Sequence, residues 1–312
     1  MRRAVTMALV AVLATLVAAC NTQSNAGSVG DALSGAIEID GSSTVFPISE
    51  AIAEEFGTEN SSVRVRVGQS GTGGGFEKFC NGDIDIADAS RPIDEDEKSA
   101  CEEQDIGYAE LKVAIDGLSI VVNAENGFAK CLTTDELKKI WEPESSVKTW
   151  KDVRSEWPAD AIKLYGPGAD SGTFDYFTEE IVGEKGRSRS DYQQSEDDNV
   201  LVRGVAGDTY ALGYFGFSYY EANTDKINAL GVDSGDGCTQ PSQETIKEGS
   251  YSPLSRPLFI YVSDDALERE EVQAFAEFYL SNVDAMIEDV GYVALPADDL
   301  AASKETLERA TT

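Results

Sequence analysis

Three times in this sequence a strand-like run stops at a cluster of serine, threonine and glycine and restarts with the spacing of a helix. The clusters are Gly41-Ser42-Ser43-Thr44, Gly68-Gln69-Ser70-Gly71-Thr72-Gly73-Gly74-Gly75 and Gly166-Pro167-Gly168-Ala169-Asp170-Ser171-Gly172-Thr173. A strand-to-helix junction of this composition presents backbone N–H groups, hydroxyls and the positive end of a helix dipole, the parts from which anion sites are built. Three in one chain predict a small oxyanion surrounded by helix N-termini. The chain carries 57 acidic against 25 basic residues and a formal charge of −32. Local geometry, not overall attraction, must therefore hold such an anion. The same balance argues against nucleic-acid binding. It suits either colloidal solubility or a saline setting in which salt screens the self-repulsion.

The runs around the clusters set the fold class. Ala36-Ile37-Glu38-Ile39 leads into the first turn, and Pro47 opens a helix with Ile48, Ala51, Ile52 and Phe56 on one face. Val63-Arg64-Val65-Arg66-Val67 alternates with period two before the second turn, which passes into a short helix around 76–79. A further strand is expected over 83–87, ending at Asp88-Ala89-Ser90-Arg91-Pro92. Residues 161–165 lead into the third turn, where Ser171 caps a helix with Phe174, Phe177 and Ile181 on one face. Tyr210, Tyr214, Phe215, Phe217, Tyr219 and Tyr220 read as core rather than as a stacking platform, and 268–279 as an amphipathic surface helix. Strands alternating with helices specify an α/β fold. Ligands of open α/β sheets sit at the carboxyl ends of strands, where all three turns lie, together with Ser90-Arg91. Two long apolar strands, 111–122 and 256–262, can cross between lobes. The domain plan is then one lobe of residues 35–115 plus 257–312 and a second of 116–256. The ligand lies in a cleft that closes about a two-strand hinge.

Arg2-Arg3 and the apolar stretch 4–19 read as a signal peptide over residues 1–19. Cys20 follows Val17-Ala18-Ala19 directly, which resembles the bacterial lipobox and implies lipidation at Cys20. Residues 20–34 are then a flexible tether. The protein is exported on this reading, held at the outer face of the cell membrane or in the periplasm, with the lipid as its only membrane contact. Setting Cys20 aside leaves Cys80, Cys101, Cys131 and Cys238, an even number that reads as two disulfides. Of the three pairings, Cys80–Cys101 with Cys131–Cys238 keeps both partners in one lobe. No CxxC spacing and no His occur, so no metal site is indicated and a Ser-His-Asp triad is excluded. Ser171 as a nucleophile would need a Lys or carboxylate base. The reading is a non-enzyme without cofactor.

Asp40-Gly41-Ser42-Ser43-Thr44-Val45-Phe46-Pro47, Ser70-Gly71-Thr72-Gly73-Gly74-Gly75-Phe76, Ala89-Ser90-Arg91-Pro92 and Asp170-Ser171-Gly172-Thr173-Phe174 resemble motifs of the phosphate-binding proteins of phosphate-specific ABC importers, the PstS family. They occur in the family's order, Gly291-Tyr292-Val293-Ala294-Leu295-Pro296 is also similar, and the match covers almost the whole mature chain. The resemblance implies a class II periplasmic-binding-protein fold, a dehydrated inorganic phosphate between two α/β lobes, delivery to a membrane permease, and a monomer. Carried over by residue, the first turn contributes the Ser43 and Thr44 hydroxyls and the Val45 N–H. The second contributes Ser70 and Thr72, and the third the Ser171 hydroxyl with the Gly172 and Thr173 N–H groups. Two departures stand out. The family's best-studied branch accepts the phosphate proton on an Asp after its third strand, where this sequence has Ser90. That branch also has an Arg shortly before Ser-Gly-Thr, where this sequence has an uncharged residue near Pro167. Arg91 then supplies the guanidinium, whose planar fork suits a tetrahedral oxyanion. Asp170 is the first candidate for the proton acceptor, ahead of Asp88 and Asp40. Such a carboxylate sets selectivity, because hydrogen phosphate donates a proton and sulfate has none. The alternatives are the same fold holding another oxyanion, sulfate or molybdate, and, well behind it, a secreted Ser-dependent phosphatase using Ser171.

Overall fold

The computed structural model describes residues 33–312 apart from 170, 196, 288 and 289. Cys20, the 1–19 segment, most of the 20–34 tether and Asp170 lie outside the described residues. The first two alternating runs form β1 (Gly35–Gly41) and β2 (Val63–Val67), joined by α1 (Phe46–Glu59). α2 (Thr72–Cys80), β3 (Ile86–Ala89) and α3 (Glu95–Glu103) follow. β1 pairs in parallel with β2 on one side and β3 on the other. Parallel pairing needs a crossover between strands, so the loops after all three strands leave the same edge of the sheet. α2 begins earlier than the expected 76–79, because the Gly75 N–H already closes a helical turn on the Gly71 carbonyl at 2.8 Å. β3 starts at Ile86 rather than 83, because the Asp83 N–H is spent on the Lys78 carbonyl in the turn that ends α2.

β4 (Tyr108–Asn123) is the long strand. After it come β5 (Cys131–Thr133), α4 (Thr134–Trp141), β6 (Lys163–Gly166) and β7 (Gln193–Gln194). β8 (Ala211–Gly216), β9 (Ile227–Asp233), β10 (Cys238–Thr239) and β11 (Ser255–Ser263) complete the sheet. The order is β2-β1-β3-β11-β4-β8-β6-β7, with β9 beside β4 and both β5 and β10 beside β9. β4 pairs with β11 from Tyr108 to Gly117, then with β8 from Leu118 and with β9 from Ile120. One strand thus serves both halves of the sheet. At the changeover Arg256 stands opposite Asp116.

Each half buries its own apolar side chains, the main force that holds such layers together. In the first, α1 and the Glu270–Met286 helix cover one face through Ile48, Ile52, Phe56 and Phe275, while Phe76, Phe79 and Tyr261 pack beneath α2 and α3 on the other. The second half packs around Trp141, Trp150, Phe177 and Tyr214. Tyr214, Phe215 and Phe217 are buried, and Tyr210, Tyr219 and Tyr220 lie partly buried against them, so the aromatic run is core. The architecture is mixed α/β in two halves, the class expected from the alternation of strands and helices. Cys80 bonds Cys101, tying α2 to α3, and Cys131 bonds Cys238, tying β5 to β10. Both pairings are those expected. The second closes a separation of 107 residues, which the chain-entropy account values at about 4–5 kcal/mol. Among the described residues no helix is long and apolar enough to cross a membrane.

Candidate functional site

The loops that leave β1, β2 and β3 converge on one cavity of about 330 Å³. Ser43 and Thr44 line it from the first loop, Ser70 and Thr72 from the second, and Ser90 and Arg91 from the third. Main-chain bonds lock the loops together. The Ser42 N–H donates to the Asp88 carbonyl at 2.8 Å and the Gly71 N–H to the Gly41 carbonyl at 2.7 Å. Thr72 Oγ1 accepts from the Ser90 N–H at 3.2 Å and lies 3.1 Å from Ser90 Oγ. Asp40, at the end of β1, accepts from the Ser70 N–H at 2.8 Å and pairs with Lys78. Burial alone would raise its pKa. The Lys78 ammonium and the Ser70 N–H outweigh burial and hold it below the ordinary value. Asp40 therefore positions the second loop and is not in the cavity wall.

The helix starts around the site are capped in different ways. α3 and α4 each open with a full capping box, from Asp94 and Thr133. α1 and α2 have no side-chain cap. In α1 Pro47 carries no N–H and the Phe46 and Ile48 N–H groups donate to the Ser42 and Val45 carbonyls at 2.9 Å, whereas the first-turn N–H groups of α2, from Thr72 to Gly74, present the positive end of that helix. Val45, the residue before α1, is fully buried. The third turn is arranged otherwise. Ser171 Oγ accepts from the Thr173 N–H at 3.2 Å and so caps its own helix, Gly172–Phe177. Ser171, Gly172 and Thr173 sit beside the cavity rather than in its wall, whereas Asp175 and Tyr176 from the same helix line it. A Cβ at Gly172 would stand 2.9 Å from the Thr44 backbone, so the two halves meet here main chain to main chain.

Charge in the wall departs from the sequence expectation. Arg91 borders the cavity, but both ends of its fork donate to the two oxygens of Glu97 at 2.7 Å. Glu97 is also the glutamate of the α3 capping box. Arg256, read from the sequence only as part of a crossing strand, lines the same cavity and is the more buried, with 14% of its side chain exposed against 41% for Arg91. The signal for it was Asp116 in the middle of one apolar crossing strand and Arg256 at the start of the other. The carboxylates in the wall are likewise new. After the Gly172–Phe177 helix the chain continues as a π-helix, Thr178–Val182, a conformation concentrated at functional sites. It brings Glu179 and Glu180 to the cavity. Burial, reinforced by Glu179, raises the Glu180 carboxyl pKa against the pull of Arg256. Asp175 Oδ2 accepts from Ser43 Oγ at 3.4 Å and pairs with Lys185 at 3.1 Å.

Asp88, the second candidate carboxylate, is absent from that wall. It is fully buried beneath α1, where Ser49 Oγ donates to its Oδ1 at 2.9 Å and the Tyr279 hydroxyl lies 3.1 Å from Ser49 Oγ. Burial pushes its pKa well above 3.8; the Ser49 bond opposes this and the Asp40 charge adds to it. A carboxyl that keeps its proton when folded and releases it near 3.8 when unfolded makes the folded state bind more protons between the two pKa values. Its contribution to stability is therefore whole below 3.8 and declines as pH rises towards the folded pKa. Asp88→Asn is expected to raise the Tm at neutral and alkaline pH and to flatten its pH dependence. A Tm series from pH 4 to 9 in which Asp88→Asn tracks the wild type would overturn this.

A family model described as a PBP superfamily domain matches residues 23–283. Among curated proteins, the chain is 51% identical over 265 residues to Protein SphX of Synechocystis sp., covering 84% of this chain and 79% of that one. It is 42% identical over 296 residues to the phosphate-binding protein PstS of Staphylococcus saprophyticus subsp. saprophyticus, covering 94% and 90%. Among solved structures, one described as "a possible phosphate binding protein from Planctomyces limnophilus DSM 3776" superposes with a TM-score of 0.87 at 46% identity, over 90% of this chain and 100% of that one.

Proposed function

The chain belongs to the PBP superfamily and, within it, to the PstS family of phosphate-binding proteins, and from that premise we propose that it captures inorganic phosphate outside the cytoplasm and delivers it to the permease of an ABC importer. The family is one of transport proteins, not of enzymes. One observation carries the reading: two helix N-termini without side-chain caps and six Ser/Thr residues converge on one cavity. Phosphate oxygens accept from Ser43, Thr44, Ser70, Thr72 and Ser90, from the Val45 N–H and from Arg91. The third turn, with Asp170, Ser171, Gly172 and Thr173, closes on the anion from the other lobe. The lobes are residues 35–115 with 257–312, and 116–256. Residues 1–19 are the signal peptide, Cys20 carries the lipid, and residues 20–34 tether the monomer to the outer face of the membrane.

Each hydrogen bond to a charged group is worth about 1.5–3 kcal/mol net, so a few exceed the roughly 8 kcal/mol of a micromolar complex. Calorimetric titration of the domain from residue 33 onward is expected to give a phosphate Kd of about 1 μM or tighter, with sulfate bound at least 100-fold more weakly. Equal affinity for the two anions would overturn the selectivity, and no heat with either would overturn the function.

A further inference from the structure

The side chain of Arg256 has three partners from three parts of the molecule. One Nη2–H donates to Thr44 Oγ1, in the first anion loop, at 2.9 Å. Nε lies 3.4 Å from Oδ2 of Asp116, its cross-strand partner on β4. The guanidinium carbon sits 3.5 Å from the centre of the Tyr176 ring, on the Gly172–Phe177 helix of the second half. Tyr176 is itself fixed, its hydroxyl donating to the Pro253 carbonyl at 2.6 Å. Arg256 lines the cavity, as do Thr44 and Tyr176. Asp116, 1% exposed, does not line it.

We propose that Arg256 is the principal cationic contact of the bound anion and couples its arrival to the closing of the two halves. This rests on phosphate as the ligand. Stacked guanidinium N–H groups not engaged by Thr44 and Asp116 remain available to a tetrahedral anion. The contrast with Arg91 is geometric: Glu97 occupies the Arg91 fork on both sides, while Asp116 takes Arg256 at one longer contact. A phosphate held by Arg256 and the first loop draws on a side chain that already touches the first loop, the crossing strands and the second half. Occupancy of the cavity is therefore felt where β4 and β11 pass between the halves. The charge arrives from a segment far along the chain from every Ser/Thr/Gly turn.

Arg256→Gln alone would strand a buried carboxylate, so the test uses the paired variant Asp116→Asn/Arg256→Gln, which removes both charges together. Its circular dichroism is expected to match the wild type while phosphate affinity by calorimetry falls at least 100-fold. The phosphate-induced decrease in radius of gyration by X-ray scattering is expected to vanish even at saturating phosphate. Arg256→Lys, which keeps charge and loses the fork, is expected to bind 10- to 30-fold more weakly than wild type. Asp116→Asn is expected to stay within tenfold. A folded paired variant with affinity within threefold of wild type would overturn the proposal and leave Arg256 as a structural ion pair. Full affinity loss with normal compaction at saturation would overturn the coupling. A wild type that gives no phosphate heat would overturn the functional reading instead, before any variant is compared.

Discussion

Gly41→Ala is expected to cost more than about 4 kcal/mol of folding stability, the range reserved for steric conflict in a packed core. Gly41 has φ +145° and ends β1 where three loops are tied. Its carbonyl accepts from Gly71, and the next N–H, of Ser42, donates to the Asp88 carbonyl. A Cβ would fall on that carbonyl, with the Asp88 carbonyl carbon and nitrogen at 2.9 Å. The conflict is backbone against backbone, so no rotamer relieves it. Relief requires β1 and β3 to separate, which breaks the Ser42 bond and pulls the first loop out of the cavity. Urea unfolding is expected to show a midpoint far below wild type, with phosphate binding lost in whatever fraction folds. A midpoint within experimental error of wild type would show that the sheet yields locally and that the junction is softer than its geometry.

Trp141→Ala acts from the opposite side of the cleft and is expected to cost about 3–5 kcal/mol, the usual price of emptying a large aromatic site. The indole is fully buried, with its ring centre 4.8 Å from Tyr214, 5.3 Å from Tyr192 and 5.7 Å from Phe177, all edge-on. Phe177 in turn stacks on Tyr214 at 3.8 Å. Phe177 ends the helix that carries Asp175 and Tyr176 to the cavity and immediately precedes the π-helix that carries Glu179 and Glu180. The Tm is expected to fall by on the order of 10 °C. Phosphate affinity is expected to fall as well, although Trp141 is not in the cavity wall. Trp141→Phe, which refills much of the space, is expected to recover most of both. Loss of stability with unchanged affinity would show that the wall is held independently of this aromatic stack.

The parts of the site legible in the sequence are those whose chemistry is local. A strand that ends in Ser-Ser-Thr and restarts as a helix announces its donors within ten residues, and Ser43, Thr44, Ser70, Thr72, Ser90 and Arg91 all reach one cavity. The α/β class was legible for the same reason, from two periodicities and their breaks. Arg256 was not, because its meaning depends on standing opposite Asp116 in the register of two distant strands. Glu179 and Glu180 were not: a helical period places them one turn beyond Asp175 and Tyr176, but which side of that helix meets the cavity is decided by how Phe174 and Phe177 pack, and two adjacent glutamates read equally well as a solvated face. Asp88 and Asp40 were candidate proton acceptors by sequence position and neither lines the cavity, because a strand end does not tell which face a carboxyl takes. One is buried under Ser49 and the other holds Ser70.

The two disulfides have a consequence for durability as opposed to ligand exchange. Cys80–Cys101 joins α2 to α3 and Cys131–Cys238 joins β5 to β10, so among the described residues neither covalent crosslink bridges the cleft. Each half is protected separately against unravelling and proteolysis, and the redox state of the surroundings governs how long the protein lasts. The traffic of anion in and out is left to contacts that break and reform without chemistry: one hydroxyl against Asp175, one glycine against Thr44, one guanidinium against a ring. A receptor built this way can be long-lived and quick to release at once, because different bonds govern the two properties.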